Sequence, residues 1–236
     1  MSFGKNLQFL RRMHNSMTQE ELAGIMKVSR QTISKWESDA AYPEMEKAIE
    51  LCNYFSCSMD RLMREDMNVA SDAYSQVRIE SVPSFRYVRY AVVSPDPEGD
   101  SIRHMEIWAE NSGLLQVPGY SLDMIGWDFP VVSQRQINVF HMHGYASACI
   151  LPEGFTPKCQ VEEHAVQREA KYAAITIRQP SVAPFELIPN AYKTIMAYME
   201  VNGLKHKKDE DILWCFEKLY TKDEIEYMDV YIAIED

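Results

Sequence analysis

The stretch Met17–Ser38, MTQEELAGIMKVSRQTISKWES, decides how the chain is read. Thr18 followed three residues on by Glu21 is a capping box: each side chain satisfies the other residue's backbone amide, so a helix starts here. Its inward positions are Leu22, Ala23 and Met26. Ser29 then caps a second helix, because a serine oxygen accepts from first-turn amides that have no partner within the helix. On that helix Ile33 and Trp36 face the core. Arg30, Gln31, Ser34 and Lys35 point outward, with donors suited to base edges and phosphates. Any amphipathic hairpin of helices has a polar outer face, and most such faces are merely solvated. Here cap, turn, inward tryptophan and outward donors fall in one register, which favours a face that reads DNA.

The same residues resemble the Cro and phage-repressor helix-turn-helix family, the XRE family, through T-Q-E-E-L-A and V-S-R-Q-T-I-S-K-W-E. The resemblance covers roughly residues 1–65. It implies a first helix through Leu7, Leu10 and Arg11, the two motif helices, a fourth helix opened by Pro43 and running through Ala48, Ile49 and Leu51, and a closing segment Met59–Arg64. It also implies that Arg30, Gln31, Ser34 and Lys35 read bases while Gln19 and Thr32 hold the phosphate backbone. Phosphate contacts set register and base contacts set sequence. Arg12 and Glu37 match a structural ion pair that ties the first helix to the end of the reading helix.

Charge sharpens this division. The net charge of −11 falls entirely on residues 66–236, since residues 1–65 carry nine basic and nine acidic side chains. The C-terminal part is therefore not a second DNA reader, and attraction to phosphate rests on local placement within the first part. At 236 residues and 46% apolar composition, the chain exceeds one typical domain. No long apolar run or charged leader is present, which predicts no membrane partner and a cytoplasmic protein. Five cysteines, Cys52, Cys57, Cys149, Cys159 and Cys215, show no C-x-x-C and read as core thiols. His141 and His143 would share a strand face, but no third ligand is evident, so no metal or other cofactor is expected.

A polar stretch, Asp66–Gln76, reads as a linker between two domains, 1–65 and 77–236. Beyond it the texture turns strand-rich. A 90-residue offset lays WAENSGL, from Trp108 to Leu114, on YMEVNGL, from Tyr198 to Leu204, each with a glycine placed to end a helix. The first copy is expected as strand 78–93, helix 100–113, strand 120–128 and strand 137–150. The second is expected as strand 170–178, helix 187–203, strand 212–220 and strand 226–234. Each is a β-α-β-β unit.

That layout, with ILWCFEKLY (212–220) followed by EYMDVYIAIE (226–235), resembles the GyrI-like effector-binding domain of multidrug-sensing and AraC-type regulators. The resemblance implies two pseudo-equivalent halves enclosing a ligand cleft, and a glutamate on the penultimate strand that faces organic cations; Glu217 matches it. From the residues alone, alternation along 212–220 puts Glu217 on a face with Leu213, Cys215 and Leu219. A carboxylate among apolar neighbours is costly unless compensated, by a cationic ligand or by a donor within the protein. The offset makes Trp127 the counterpart of Glu217, so an aromatic ring and a carboxylate are expected to face each other, a setting for a planar cation. Trp108, Phe129, Phe140, Tyr145 and Tyr220 are further candidates for the wall.

The expected architecture is thus two domains: an all-α helix-turn-helix bundle followed by an α+β duplicated β-α-β-β effector-binding domain. The expected function is a ligand-responsive transcription regulator, a homodimer binding double-stranded operator DNA and a small, cationic or aromatic effector. A GyrI-like hydrolase of reactive toxins, with Glu217 as general acid or base, and a protein-sequestering interaction module are the alternatives. No nucleophile–base pair or phosphate loop is visible in the sequence, so the reading is of a regulator and not of an enzyme.

Overall fold

The computed structural model describes residues 3–14, 17–55, 57–64, 67, 73–128, 133–139, 142–159 and 163–236. Helices α1 (Phe3–Met13), α2 (Gln19–Met26), α3 (Arg30–Glu37), α4 (Met45–Tyr54) and α5 (Met59–Arg64) form the N-terminal part. Both sequence-predicted caps are present. The Glu21 carboxylate accepts from the Thr18 amide at 2.6 Å, while Thr18 Oγ1 accepts from the Glu21 amide. The Thr18 amide, then its hydroxyl, hold the Glu21 carboxyl below its ordinary value. Ser29 Oγ accepts from the Thr32 amide at 3.1 Å and so starts α3. Between the two helices Lys27 adopts a left-handed φ of 54°, which turns the chain.

Leu7, Leu22, Ile33, Leu51 and Phe55 are fully buried in this bundle, joined by Trp36. Ile49 is exposed, because α4 turns Ala48, Leu51 and Cys52 inward instead. The ion pair to Glu37 is made by Arg11 and not by Arg12: Arg11 Nε and Nη2 donate to the two Glu37 carboxylate oxygens at 2.5 and 3.0 Å. Phe3, Leu7, Leu10 and Arg11 share the inward stripe of α1. One residue further, the helix has rotated about 100° and Arg12 meets solvent.

The remainder comprises β1 (Arg78–Val82), β2 (Phe85–Ser94), α6 (Pro97–Ser112), β3 (Met124–Asp128), α7 (Gln134–Asn138), β4 (His143–Leu151), β5 (Glu163–Gln167), β6 (Ala170–Arg178), α8 (Pro184–Val201), β7 (Cys215–Lys222) and β8 (Ile225–Ala233). The eight strands form one sheet in the order β1-β6-β8-β7-β3-β4-β2-β5. Read outward from the β3–β7 seam, the order is β3-β4-β2 on one side and β7-β8-β6 on the other. The halves β2-α6-β3-β4 and β6-α8-β7-β8 are therefore duplicates in topology as well as in chain order. Gly113 and Gly203, matched by the 90-residue offset, both follow helices with positive φ, 83° and 66°.

Three details depart from the sequence expectation. The strand foreseen at 78–93 is two strands, broken at Pro83, which has no amide to give to a ladder. Strand β5 was not foreseen; it and β1 are exchanged, each preceding one half in the chain and pairing with the outer strand of the other. The strands foreseen at 120–128, 137–150 and 212–220 begin at Met124, His143 and Cys215.

By packing, the chain forms two compact units. The first is Met1–Arg78 with Ile175–Ile177 and Ser181–Lys205; the second holds the other residues. Helix α8 thus packs with the N-terminal helices. Val201 joins their core, Asn202 Nδ2 donates to the Met13 carbonyl at 3.2 Å, and Arg61 pairs with Glu200 at 3.4 Å. Within the linker expected at 66–76, residues 66 and 68–72 lie outside the described residues. In the second unit one sheet face buries Tyr87, Ile125, Trp127, Tyr172, Phe216 and Tyr231. The other face packs Val88 and Cys149 under Met105, Trp108 and Ala109 of α6. No disulfide joins the five cysteines. No helix among the described residues is long and apolar enough to cross a membrane.

Candidate functional site

Two faces carry chemistry, one in each unit. The first is the outer side of α3. Arg30, Gln31, Ser34 and Lys35 are all exposed and line one shallow depression. Ile33, Trp36 and Glu37 on the opposite side are buried, which fixes the helix's rotation and so the direction of the four donors. Glu37 anchors this arrangement. Besides Arg11 it accepts from Gln19 Nε2 at 2.9 Å, so one carboxylate ties α1, α2 and α3 together. Gln19 is half-buried, and that bond sets the orientation of its amide. Thr32 is half-buried, its hydroxyl 2.9 Å from Ser29 Oγ at the start of α3.

The second face lies on the side of the sheet that α6 covers. Register builds it. Glu217 of β7 is paired with Gly126 of β3, which is paired in turn with Ser147 of β4 and, beyond it, Tyr90 of β2. Residues directly opposite one another project to the same face, so Glu217, Ser147 and Tyr90 lie in one row. One pleat along, Asp128 is paired with Tyr145. The Tyr145 hydroxyl donates to Glu217 Oε2 at 3.3 Å. Gly126 makes this possible, because a Cβ there would collide with the Tyr145 hydroxyl. Glu217 is 7% exposed and Ser147 1%. Among the described residues Ser147 Oγ has no hydrogen-bond partner.

Helix α6 closes one side of this face. Trp108 packs over Cys149, Ser101 Oγ donates to the Tyr90 carbonyl at 3.3 Å, and His104 stacks on Tyr90 with ring centroids 3.7 Å apart. Glu98, in the first turn of α6, reaches the same neighbourhood as Tyr145 and Asp128. Burial pushes the Tyr145 phenol far above its ordinary value, with the charges of Glu217, Glu98 and Asp128 adding to it. Burial also raises the carboxyls of Glu98 and Asp128, although both residues expose much of their surface; Asp128 adds to the rise at Glu98, and His143 opposes it at Asp128. The face is acidic at its floor and at its rim.

Of the ligand-wall residues expected from sequence, the structure brings Glu217, Tyr145 and Trp108 to this side of the sheet. Trp127 does not face Glu217. The seam pairs Gly126 with Glu217, one residue off the 90-residue correspondence, and a one-residue shift sends a side chain through the sheet. Trp127 packs edge-on against Tyr87 on the far side, at 6.2 Å. Tyr220 also lies on that side, stacked on Tyr227. Leu213 precedes β7 and packs in the far-side core, so it is not a neighbour of Glu217 along the strand. Phe129, Phe140 and His141 lie outside the described residues. Sequence reading missed Ser147, Gly126, Asp128 and Glu98; only pairing across three strands brings the first three to Glu217.

Comparison with known proteins bears mainly on the first unit. Residues 8–62 match the model of the helix-turn-helix family HTH_3. The chain is 35% identical over 88 residues to the HTH-type transcriptional activator BcrR of Enterococcus faecalis, which covers 37% of this chain and 43% of that protein. The chain thus spans less than half the length of this curated relative. Among solved structures, the EcmrR–DNA complex covers 96% of this chain and 80% of its own at 12% identity, with a TM-score of 0.49. SAV2435 bound to tetraphenylphosphonium covers 68% and 94% at 10% identity, with a TM-score of 0.41. With the capped α2–α3 pair, its buried tryptophan and its outward donors in place, residues 8–62 belong to the helix-turn-helix family.

Proposed function

We propose that this protein is a ligand-responsive transcription regulator that reads operator DNA through α3 and binds a small organic cation on the α6-covered face around Glu217. The observation that carries this reading is the presence on one chain of an exposed donor face on a helix-turn-helix and a carboxylate buried at the seam of a duplicated sheet. In this reading Arg30, Gln31, Ser34 and Lys35 contact base edges. Gln19, oriented by Glu37, and Thr32 contact phosphates. One reader of this size covers a half-site, so the working form is a dimer spanning adjacent major grooves. Glu217, Tyr145 and Trp108 belong to the effector site. The curated relative's description as a transcriptional activator supports the regulatory class. A carboxylate buried on a face that also gathers the charges of Glu98 and Asp128 around Tyr145 supports a cationic effector, since a cation is favoured where negative charge collects.

Selection of binding sites from random duplex DNA, followed by anisotropy titrations at fixed salt, tests the DNA half. Arg30→Ala and Gln31→Ala should each reduce discrimination between selected and random DNA by about 1–3 kcal/mol. Gln19→Ala should weaken both alike. If Arg30→Ala leaves discrimination untouched, the docking face is misassigned. For the effector half, Glu217→Gln should cost a bound monocation about 1.5–3 kcal/mol in affinity, with neutral aromatic compounds little changed.

A further inference from the structure

Helix α8 buries Leu187, Ala191 and Ile195 on one side and turns a patterned stripe outward on the other. Phe185 is 97% exposed and Met196 46%, and Pro189, Glu186, Lys193 and Glu200 are exposed with them. At about 100° per residue, Phe185, Met196 and Pro189 fall within roughly 40° of one another around the helix, and Glu200, Lys193 and Glu186 follow along one flank within about 60° more. An exposed apolar side chain standing alone is ordinary. Three in line beside a charged flank make the kind of seam by which one helix packs on another.

The charges on the flank are ordered. Glu200 is paired with Arg61 of α5 at 3.4 Å, inside the same compact unit. Glu186 and Lys193, opposite in sign, lie about two turns apart. Turning a second copy of α8 antiparallel about a two-fold axis near Asn190 sets Phe185 against Met196 of that copy and Glu186 against its Lys193, each pair matched to within about one residue. The stripe is therefore complementary to itself, and two-fold symmetry makes each contact twice. A stripe of one sign would repel its copy, which matters for a chain whose net charge is −11. The whole stripe also lies in the compact unit that holds α3. A contact made here carries the two reading helices with it and so sets their separation, which is what paired half-sites demand.

We propose that the occupant of this face is a second copy of the chain, joined through antiparallel α8 helices across a two-fold axis near Asn190. This rests on the reading of the working form as a dimer and goes beyond it by naming the surface, the register and the pairs that meet.

Sedimentation of the full chain over a concentration series, at low salt, tests it. Phe185→Asp should weaken self-association at least about tenfold, because an aromatic anchor is replaced by a charge at the centre of the contact. Glu186→Lys and Lys193→Glu should each weaken it about three- to tenfold by setting like charges opposite one another, and the double reversal should return it to within about threefold of the parent. An equimolar mixture of the two single reversals should associate more tightly than either alone. All three positions are exposed, so these variants keep their fold, which melting curves check. A dimeric parent whose association is indifferent to Phe185→Asp, or whose double reversal stays as weak as the singles, overturns the α8 interface and leaves the dimer reading in place. A parent that is monomeric both free and on a selected operator duplex overturns the interface and the dimer together.

Discussion

Burial of a few individual side chains sets the strongest expectations at the residue scale. Ser147 spends its hydroxyl on no described partner, so Ser147→Ala should leave the melting temperature of the unliganded protein equal or higher, whereas removal of a satisfied buried hydroxyl costs about 1 kcal/mol. A marked drop in a calorimetric scan would show that the hydroxyl is bonded in solution. Glu98 and Asp128 give a pH signature. Burial raises both carboxyls above their values in the unfolded chain. The folded protein then holds these protons more tightly, so their stabilising contribution is present below the unfolded values, near pH 4, and is lost as pH rises through the folded ones. Glu98→Gln and Asp128→Asn should accordingly raise the melting temperature at pH 7 and lose that advantage toward pH 4. Melts at the two pH values check the sign, and an unchanged difference between them would contradict it.

At the scale of elements, α3 is aimed by what it buries. Glu37 and Arg11 are both nearly inaccessible and joined by two hydrogen bonds. Removing one partner of such a pair leaves a buried charge, so Glu37→Ala should destabilise the N-terminal unit by about 3–5 kcal/mol, while Arg12→Ala should stay within about 0.5 kcal/mol. Urea titrations monitored by helicity separate the two, and a larger effect at Arg12 would reverse the assignment. The packing of α1 on the end of α3 is equally strict. A Cβ at Gly4 would lie 2.5 Å from the Glu37 carbonyl oxygen and 2.6 Å from that of Trp36, both backbone atoms. Gly4→Ala should therefore cost about 1–3 kcal/mol by overpacking, despite alanine's better helix propensity.

On the scale of the whole molecule, α8 is the consequential element. It lies in sequence within the second half of the duplicated sheet domain, yet it packs in the same compact unit as α1–α5. A fragment ending at Arg78 should remain helical and lose the burial of Val201 and the Asn202–Met13 bond. Its stability should fall below that of the same unit in the intact chain by roughly 2–4 kcal/mol, from one buried aliphatic side chain and one hydrogen bond. Hydrogen exchange of the α1–α5 amides in fragment and full chain makes the comparison; equal protection would mean that α8 contributes nothing to the bundle. The acidic excess is confined to residues 66–236, so in the proposed DNA-reading role attraction to phosphate would rest on a few local donors on the N-terminal helices.

What the sequence determined by itself was the part whose signals are local. Caps at Thr18 and Ser29, the inward spacing of Leu22, Met26, Ile33 and Trp36, and the outward quartet on α3 each depend on residues within one or two helical turns, and each is where the pattern puts it. The duplicated β-α-β-β order was legible too, because helix ends and strand texture repeat along the chain. Tertiary structure alone decided the rest. Whether Arg11 or Arg12 meets Glu37 is a rotation of one residue on a helix whose inward face only packing defines. Whether Trp127 or Gly126 meets Glu217 is a one-residue choice of register at a seam between strands far apart in the chain, and that choice moves an aromatic ring from one side of the sheet to the other. The exchange of β1 and β5, and the gathering of Ser147, Asp128 and Glu98 around Tyr145, likewise follow from pairings between distant strands. The energy of such pairings lies in contacts that no stretch of sequence contains.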